Sequence, residues 1–109
     1  MKSELFGLKG KVAIVTGGNG GIGLGMARGL ADAGADIAVV GRNEEKSKAA
    51  VADLAARGVN AIAVATDVTD KQAVARMADQ VKGELGRIDI LVNNAGINIR
   101  KIPARARSR

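Results

Sequence analysis

Lys11-Val12-Ala13-Ile14-Val15-Thr16, followed directly by Gly17-Gly18-Asn19-Gly20-Gly21-Ile22-Gly23, is the stretch that decides the fold. Lys11 to Thr16 is a short β-branched run and reads as a buried strand. Gly17 to Gly23 reads as a turn, and Ile22 to Asp32 as a helix with Gly34 just past its end. A strand, a glycine turn and a helix in that order place unpaired helix N–H groups and a partial positive charge beyond the carboxyl end of the strand. That arrangement suits a pyrophosphate. Gly17 can turn tightly, and Gly21 and Gly23 lack the Cβ that would keep phosphate off the backbone or the helix off the sheet. A glycine-rich turn with no ligand is the alternative, and the strand before and helix after favour a dinucleotide. Gly25 and Gly29 extend a small face along the helix. Each costs up to about 1 kcal/mol of helix propensity against Ala, so close packing is the expected offset.

The same alternation continues along the chain. Asp36 to Val40 reads as a second strand, and Asn43 as the cap of a helix from Glu44 to Arg57 stopped by Gly58. Ala50, Val51, Leu54 and Ala55 share one face of that helix. Asn60 to Ala65 reads as a third strand. Thr69 can cap a helix to about Leu85, with Val74, Met77, Ala78, Val81 and Leu85 at three- and four-residue steps and Gly86 as the stop. Ile88 to Val92 reads as a fourth strand ending in Asn93-Asn94-Ala95-Gly96. Strands alternating with helices of this length imply βαβ units and a parallel sheet. Right-handed crossovers then give the order 3-2-1-4. The expected fold class is α/β, a Rossmann-like parallel sheet with helices on both faces, truncated after the fourth strand.

Composition bounds the function. Among 109 residues there is no Cys and no His, which excludes disulfides, thiolate metal sites and the commonest general base. No metal site is expected. Phe6 is the one aromatic, so the core is built from small aliphatics, as suits parallel strands under Ala-rich helices. No apolar run approaches the length that spans a bilayer, and no secretory signal opens the chain. A cytoplasmic protein without a membrane partner is expected. The net charge of +6 sits in the tail: Arg100, Lys101, Arg105, Arg107 and Arg109 carry five of the 17 basic residues, leaving 12 basic against 11 acidic. A domain-wide basic face is therefore absent, and no nucleic-acid partner is expected. Residues 1–99 read as the binding half-domain and 100–109 as a basic tail without structure.

The glycine spacing is T-G-x-x-x-G-x-G, and it resembles the short-chain dehydrogenase/reductase family. Asp67-Val68 after the third strand, Asn93-Asn94-Ala95-Gly96 after the fourth, and the distances between them strengthen the resemblance. The run from Leu8 to Arg100 is most similar to bacterial sugar and sugar-acid dehydrogenases of the gluconate or glucose kind. The resemblance implies that Gly17, Asn19, Gly21, Ile22 and Gly23 hold the cofactor pyrophosphate. It implies that Asp67 accepts from the adenine amino group with Val68 beside the ring, although Asp67 also reads as part of a turn or cap. Asn93 would tie the central strands together, and Asn94, Ala95 and Gly96 would line the cofactor. The residue ending the second strand selects the cofactor, because an acid there binds the ribose 2′-OH. Here that place is Gly41, followed by Arg42, which can pair a phosphate with two-pronged bonds. NADP is expected ahead of NAD, with Arg42 alternatively a solvated loop cation. One departure is Gly20, where many NADP-binding relatives carry a second basic residue.

Family chemistry is hydride transfer between nicotinamide and an alcohol or carbonyl carbon, using a Tyr and a Lys in Y-x-x-x-K with a Ser and an Asn. These residues include no Tyr, so no catalytic residue is assigned. The continuation Ile102 to Arg109 departs from what family members carry and suggests a shifted reading frame or truncated product; a short basic arm is the alternative. Two functions are carried forward: the NADP(H)-binding portion of an oxidoreductase that is inactive alone, and a non-catalytic dinucleotide-binding module acting through a partner chain. With Ile88 to Val92 as an unpaired edge, self-association or partner dependence through the fourth strand is also expected.

Overall fold

The computed structural model describes residues 7–94 and 98–101. Five strands form one sheet in the order β3-β2-β1-β4-β5. β1 is Val12–Thr16, β2 Asp36–Val40, β3 Ala61–Val64, β4 Ile90–Asn93 and β5 Asn98–Lys101. The first four are parallel to one another, in the expected order. Every residue of β1 is buried, and in β2 only Asp36 is not. The absence of in–out alternation in these two strands follows from cover on both faces of the sheet.

Three helices provide that cover: α1 Gly21–Asp32, α2 Glu44–Ala55 and α3 Lys71–Leu85. Residues of α1 and α2 pack on one face, where Ala27, Ala31, Ala50 and Leu54 meet Ala13, Val15, Ile37 and Val39. On the other face Met77 and Val81 of α3 meet Val12, Ile14, Ala38, Val40 and Val64. Beside α3 an apolar hollow of about 230 Å³ opens between Val74, Met77 and Ala78 of the helix and Ile14 and Leu91 of the sheet.

Local chemistry sets the helix ends. Asn43 caps α2 by accepting from Lys46 N at 3.0 Å. α3 is capped by Asp70, not Thr69, with Gln72 N at 2.9 Å and Ala73 N at 3.3 Å. Thr69 is instead turned back onto Asp67. Gly86 ends α3 in the left-handed conformation, φ 94°. α2 stops at Ala55 and not Arg57, and Ala55 is exposed while Ser47 is buried on the packed face. In α1 the face against the sheet is Gly23, Ala27 and Ala31. Gly25 and Gly29 lie outside it, with open space where a Cβ would stand, so close packing does not offset their cost.

A larger departure lies at the fourth strand. β5 pairs antiparallel with β4, with Leu91 opposite Arg100 and Val92 opposite Ile99. β4 is therefore not an edge, which corrects the expectation that its outer side is unpaired. The strand also runs two residues into the stretch expected to lack structure. Backbone pairing needs only N–H and C=O groups, so a segment without apolar periodicity can still add a strand. Residues 102–109 of the tail lie outside the described residues. Among those described, no helix is long and apolar enough to cross a membrane.

Candidate functional site

The carboxyl ends of β1, β2 and β4 converge beneath the glycine turn. Gly17 leaves β1 with φ 68° and donates its N–H to Val40 O at 2.7 Å, so the turn is tied to the end of β2. At the end of β1 the Thr16 hydroxyl lies 3.3 Å from Val92 O and 3.2 Å from Asn93 Oδ1, and it accepts from Asn94 N at 3.0 Å. Asn93 thus joins the central strands, and Thr16 is a fastening that sequence reasoning passed over. Its position as the last strand residue before the glycines was the available signal.

Gly23 shows why the turn needs glycine. A Cβ there would collide with the Gly17 carbonyl, and it would stand 3.1 Å from Asn94 Nδ2. A Cβ on Gly17 would stand 3.0 Å from the same Asn94 amide. The first turn of α1 is thus pressed onto the turn before it, with Asn94 wedged against both glycines.

The first N–H groups of α1 have no acceptor within the helix. Its N-cap is Gly20, which makes no side-chain cap, and no acid stands in the first turn. α2 and α3, by contrast, are both closed by a capping side chain. Unpaired donors, the positive end of the helix dipole and a backbone stripped of Cβ atoms together form a cradle that accepts an anion. Ile22, on the first turn of α1, is 66% exposed, and Val68, in the loop after β3, is 44% exposed; they are the large apolar side chains left in solvent among the described residues. Exposed apolar side chains at the carboxyl end of a sheet are places for a ligand's apolar surface.

Beyond β2, Arg42 Nη2 lies 3.0 Å from Asp67 Oδ2. Asp67 also accepts from Thr69, at 2.6 Å from the hydroxyl and 2.9 Å from the N–H. The Thr69 hydroxyl first, then its N–H, hold the Asp67 carboxyl below the usual carboxylate range against partial burial, with Arg42 adding to the effect. Asn19 reaches across the turn and donates from Nδ2 to Ser47 Oγ at 3.3 Å. Of the sequence-predicted site residues, Gly17, Asn19, Gly21, Ile22, Gly23 and Asn94 are gathered in or against the turn. Arg42, Asp67 and Val68 lie on the neighbouring loops after β2 and β3. Ala95 and Gly96 lie outside the described residues.

Comparison with known proteins agrees with this geometry. The family model described as short chain dehydrogenase matches residues 11–108. Gluconate 5-dehydrogenase of Gluconobacter oxydans is 44% identical over 97 residues, which is 89% of this chain and 38% of that protein. Among solved structures, a short chain dehydrogenase from Burkholderia cenocepacia in complex with NADP superposes with a TM-score of 0.75 at 45% identity, covering 79% of this chain and 36% of that one. NAD+-bound xylitol dehydrogenase superposes with a TM-score of 0.75 at 40% identity, covering 77% and 32%. This chain spans between 29% and 39% of the length of the first curated relatives it matches. With its glycine turn, its parallel sheet order and a family match over nearly its whole length, the chain belongs to the short-chain dehydrogenase family.

Proposed function

We propose that this chain holds the adenosine and pyrophosphate portion of NADP(H), with NAD(H) as the weaker ligand. The observation that carries the reading is the uncapped N-terminus of α1 behind a turn in which Gly23 admits no Cβ. Gly17, Asn19, Gly21, Ile22 and Gly23 meet the pyrophosphate. Arg42 meets the 2′-phosphate, and Asp67 and Val68 meet the adenine. Asn94, Ala95 and Gly96 line the side toward the nicotinamide. The absence of an acid at Gly41 and the presence of Arg42 beside it favour NADP(H). The relative in complex with NADP supports that order, and the NAD+-bound relative supports NAD(H) as second.

The reaction served is hydride transfer between the nicotinamide and an alcohol or carbonyl carbon of a sugar or sugar acid. Similarity to gluconate 5-dehydrogenase supports that substrate class. These 109 residues include no Tyr, so the proposal gives them binding and no catalysis, and they are inactive alone. A non-catalytic binding module working through a partner is the second reading. It is favoured by the apolar hollow beside Met77, a surface for self-association or a partner that does not depend on the β4 edge.

Titration of the purified chain with NADPH and NADH, followed by nicotinamide fluorescence and calorimetry, tests the reading. Saturable binding that favours NADPH, with no turnover of gluconate or its keto form, is expected. Absence of binding to either cofactor overturns it.

A further inference from the structure

Gly41 directly follows β2, at the place that sequence reading ties to the choice between the two cofactors, yet its backbone does not require glycine. Its φ is outside the left-handed region that favours glycine. What opposes a larger residue is the end of the Asn19 side chain, which occupies the space above it. A Cβ on residue 41 would press on Asn19 Nδ2 and stand 3.0 Å from Asn19 Cγ and 3.4 Å from Asn19 Oδ1. Asn19 does not hang there freely. Its Nδ2 donates to the hydroxyl of Ser47, a residue only 3% exposed in the first turns of α2. Ser47 is in turn fixed by its own N–H, which donates to Asn43 O at 3.0 Å.

We propose that Asn19 is a cofactor-specificity residue of this chain. Held by Ser47 over Gly41, it fills the volume that a side chain at residue 41 would need, and so a carboxylate placed there to receive a ribose 2′-OH must break the bond from Asn19 to Ser47. The proposal rests on the reading of the turn as a dinucleotide site. On this view preference is set by a pair of residues 22 positions apart and not by the strand-end residue alone. An acid introduced at residue 41 must displace the Asn19 amide from Ser47 and so from the position in which it meets the pyrophosphate. The single change therefore damages binding of both cofactors. Removing the amide first makes room for the acid to reach the ribose.

The test is a double-mutant cycle on the purified chain, with Asn19→Ala, Gly41→Asp and the pair, titrated with NADH and NADPH. Asn19→Ala alone, which removes a contact to the pyrophosphate, and Gly41→Asp alone should each weaken both cofactors. The pair should regain NADH by about tenfold over Gly41→Asp, the scale of one hydrogen bond to a charged group, without regaining NADPH. If Gly41→Asp alone gains NADH as fully as the pair, the two sites act independently and the proposal is overturned. If the unaltered chain binds neither cofactor, the dinucleotide reading fails and this proposal falls with it. Gly41→Ala provides the same test should the acid prevent folding. Its melting temperature should fall when Asn19 is present and recover with Asn19→Ala, and an equal fall in both backgrounds overturns the proposal.

Discussion

Arg42 and Asp67 are bonded to each other, Nη2 to Oδ2 at 3.0 Å, although the proposed function sends them to opposite ends of the adenosine. Their side chains are 73% and 43% exposed, so the pair is an open one. Exposed ion pairs of this kind contribute little, because solvent screens them. Charge-assisted hydrogen bonds to a phosphate contribute about 1.5–3 kcal/mol, so under the proposed function a 2′-phosphate takes the guanidinium from Asp67.

Arg42→Gln should therefore weaken NADPH binding by about tenfold or more and leave NADH nearly unchanged. Glutamine is the better probe than aspartate here, since an acid at residue 42 would stand against Asp67. Calorimetric titration at two salt concentrations checks this. Equal losses for both cofactors would remove Arg42 from 2′-phosphate recognition.

Gly23→Ala should lower stability by about 1–3 kcal/mol and abolish dinucleotide binding, because the new Cβ collides with the Gly17 carbonyl, a backbone group that cannot swing aside. Urea denaturation and cofactor titration read the two effects separately. A stable variant with intact binding would mean that the turn can yield at Gly17.

Gly29→Ala should act in the opposite sense. Gly29 sits inside α1 with open space at its Cβ position, so alanine adds helix propensity without a clash. A gain of up to about 1 kcal/mol is expected in the same denaturation experiment, with cofactor binding unchanged.

Asp89 fastens the sheet from beneath. Its Oδ2 accepts from the buried Val12 N at 2.9 Å, and Arg87 grips both carboxylate oxygens. Burial acts to raise the Asp89 carboxyl, and the Arg87 guanidinium and the Val12 N–H outweigh it, holding it below the usual range. Arg28 foremost, with Arg57, does the same for Asp53. Because the folded-state values of Asp53, Asp67 and Asp89 are depressed, their contribution is present above the unfolded value of about 3.9 and is lost as pH falls through the lower folded values. Stability should thus hold from neutral pH to about pH 4 and drop below it. Asp89→Ala should cost about 1–3 kcal/mol at neutral pH by leaving the Val12 N–H unpaired, and it should flatten the acid limb of the pH–stability curve. Melting temperatures from pH 3 to pH 7 check both.

The elements that the sequence displayed are those whose causes are local. The buried runs Val12 to Val15 and Ile37 to Val40, the Asn43 cap and the Gly86 stop each depend on residues within one or two turns. The cap at α3 shows the limit: Thr69 and Asp70 are both good caps, and in the fold Thr69 bonds Asp67 while Asp70 takes the cap. Gly25 and Gly29 were misplaced because a glycine stripe and a packed face look alike until the neighbouring sheet is positioned.

By itself, then, the sequence determined an α/β chain with parallel strands in the order 3-2-1-4 and a glycine turn facing the carboxyl ends of those strands. Hydrophobic period, turn chemistry and the handedness of crossovers are enough for that. The tertiary structure alone decided that β5 returns to cover β4, that Thr16 binds the ends of β1 and β4 across 77 and 78 positions, that Arg42 rests on Asp67, and that Asn19 fills the space over Gly41. These are contacts between strand ends and loops brought together by the sheet, and their geometry depends on strand spacing and register, which no local pattern of residues encodes.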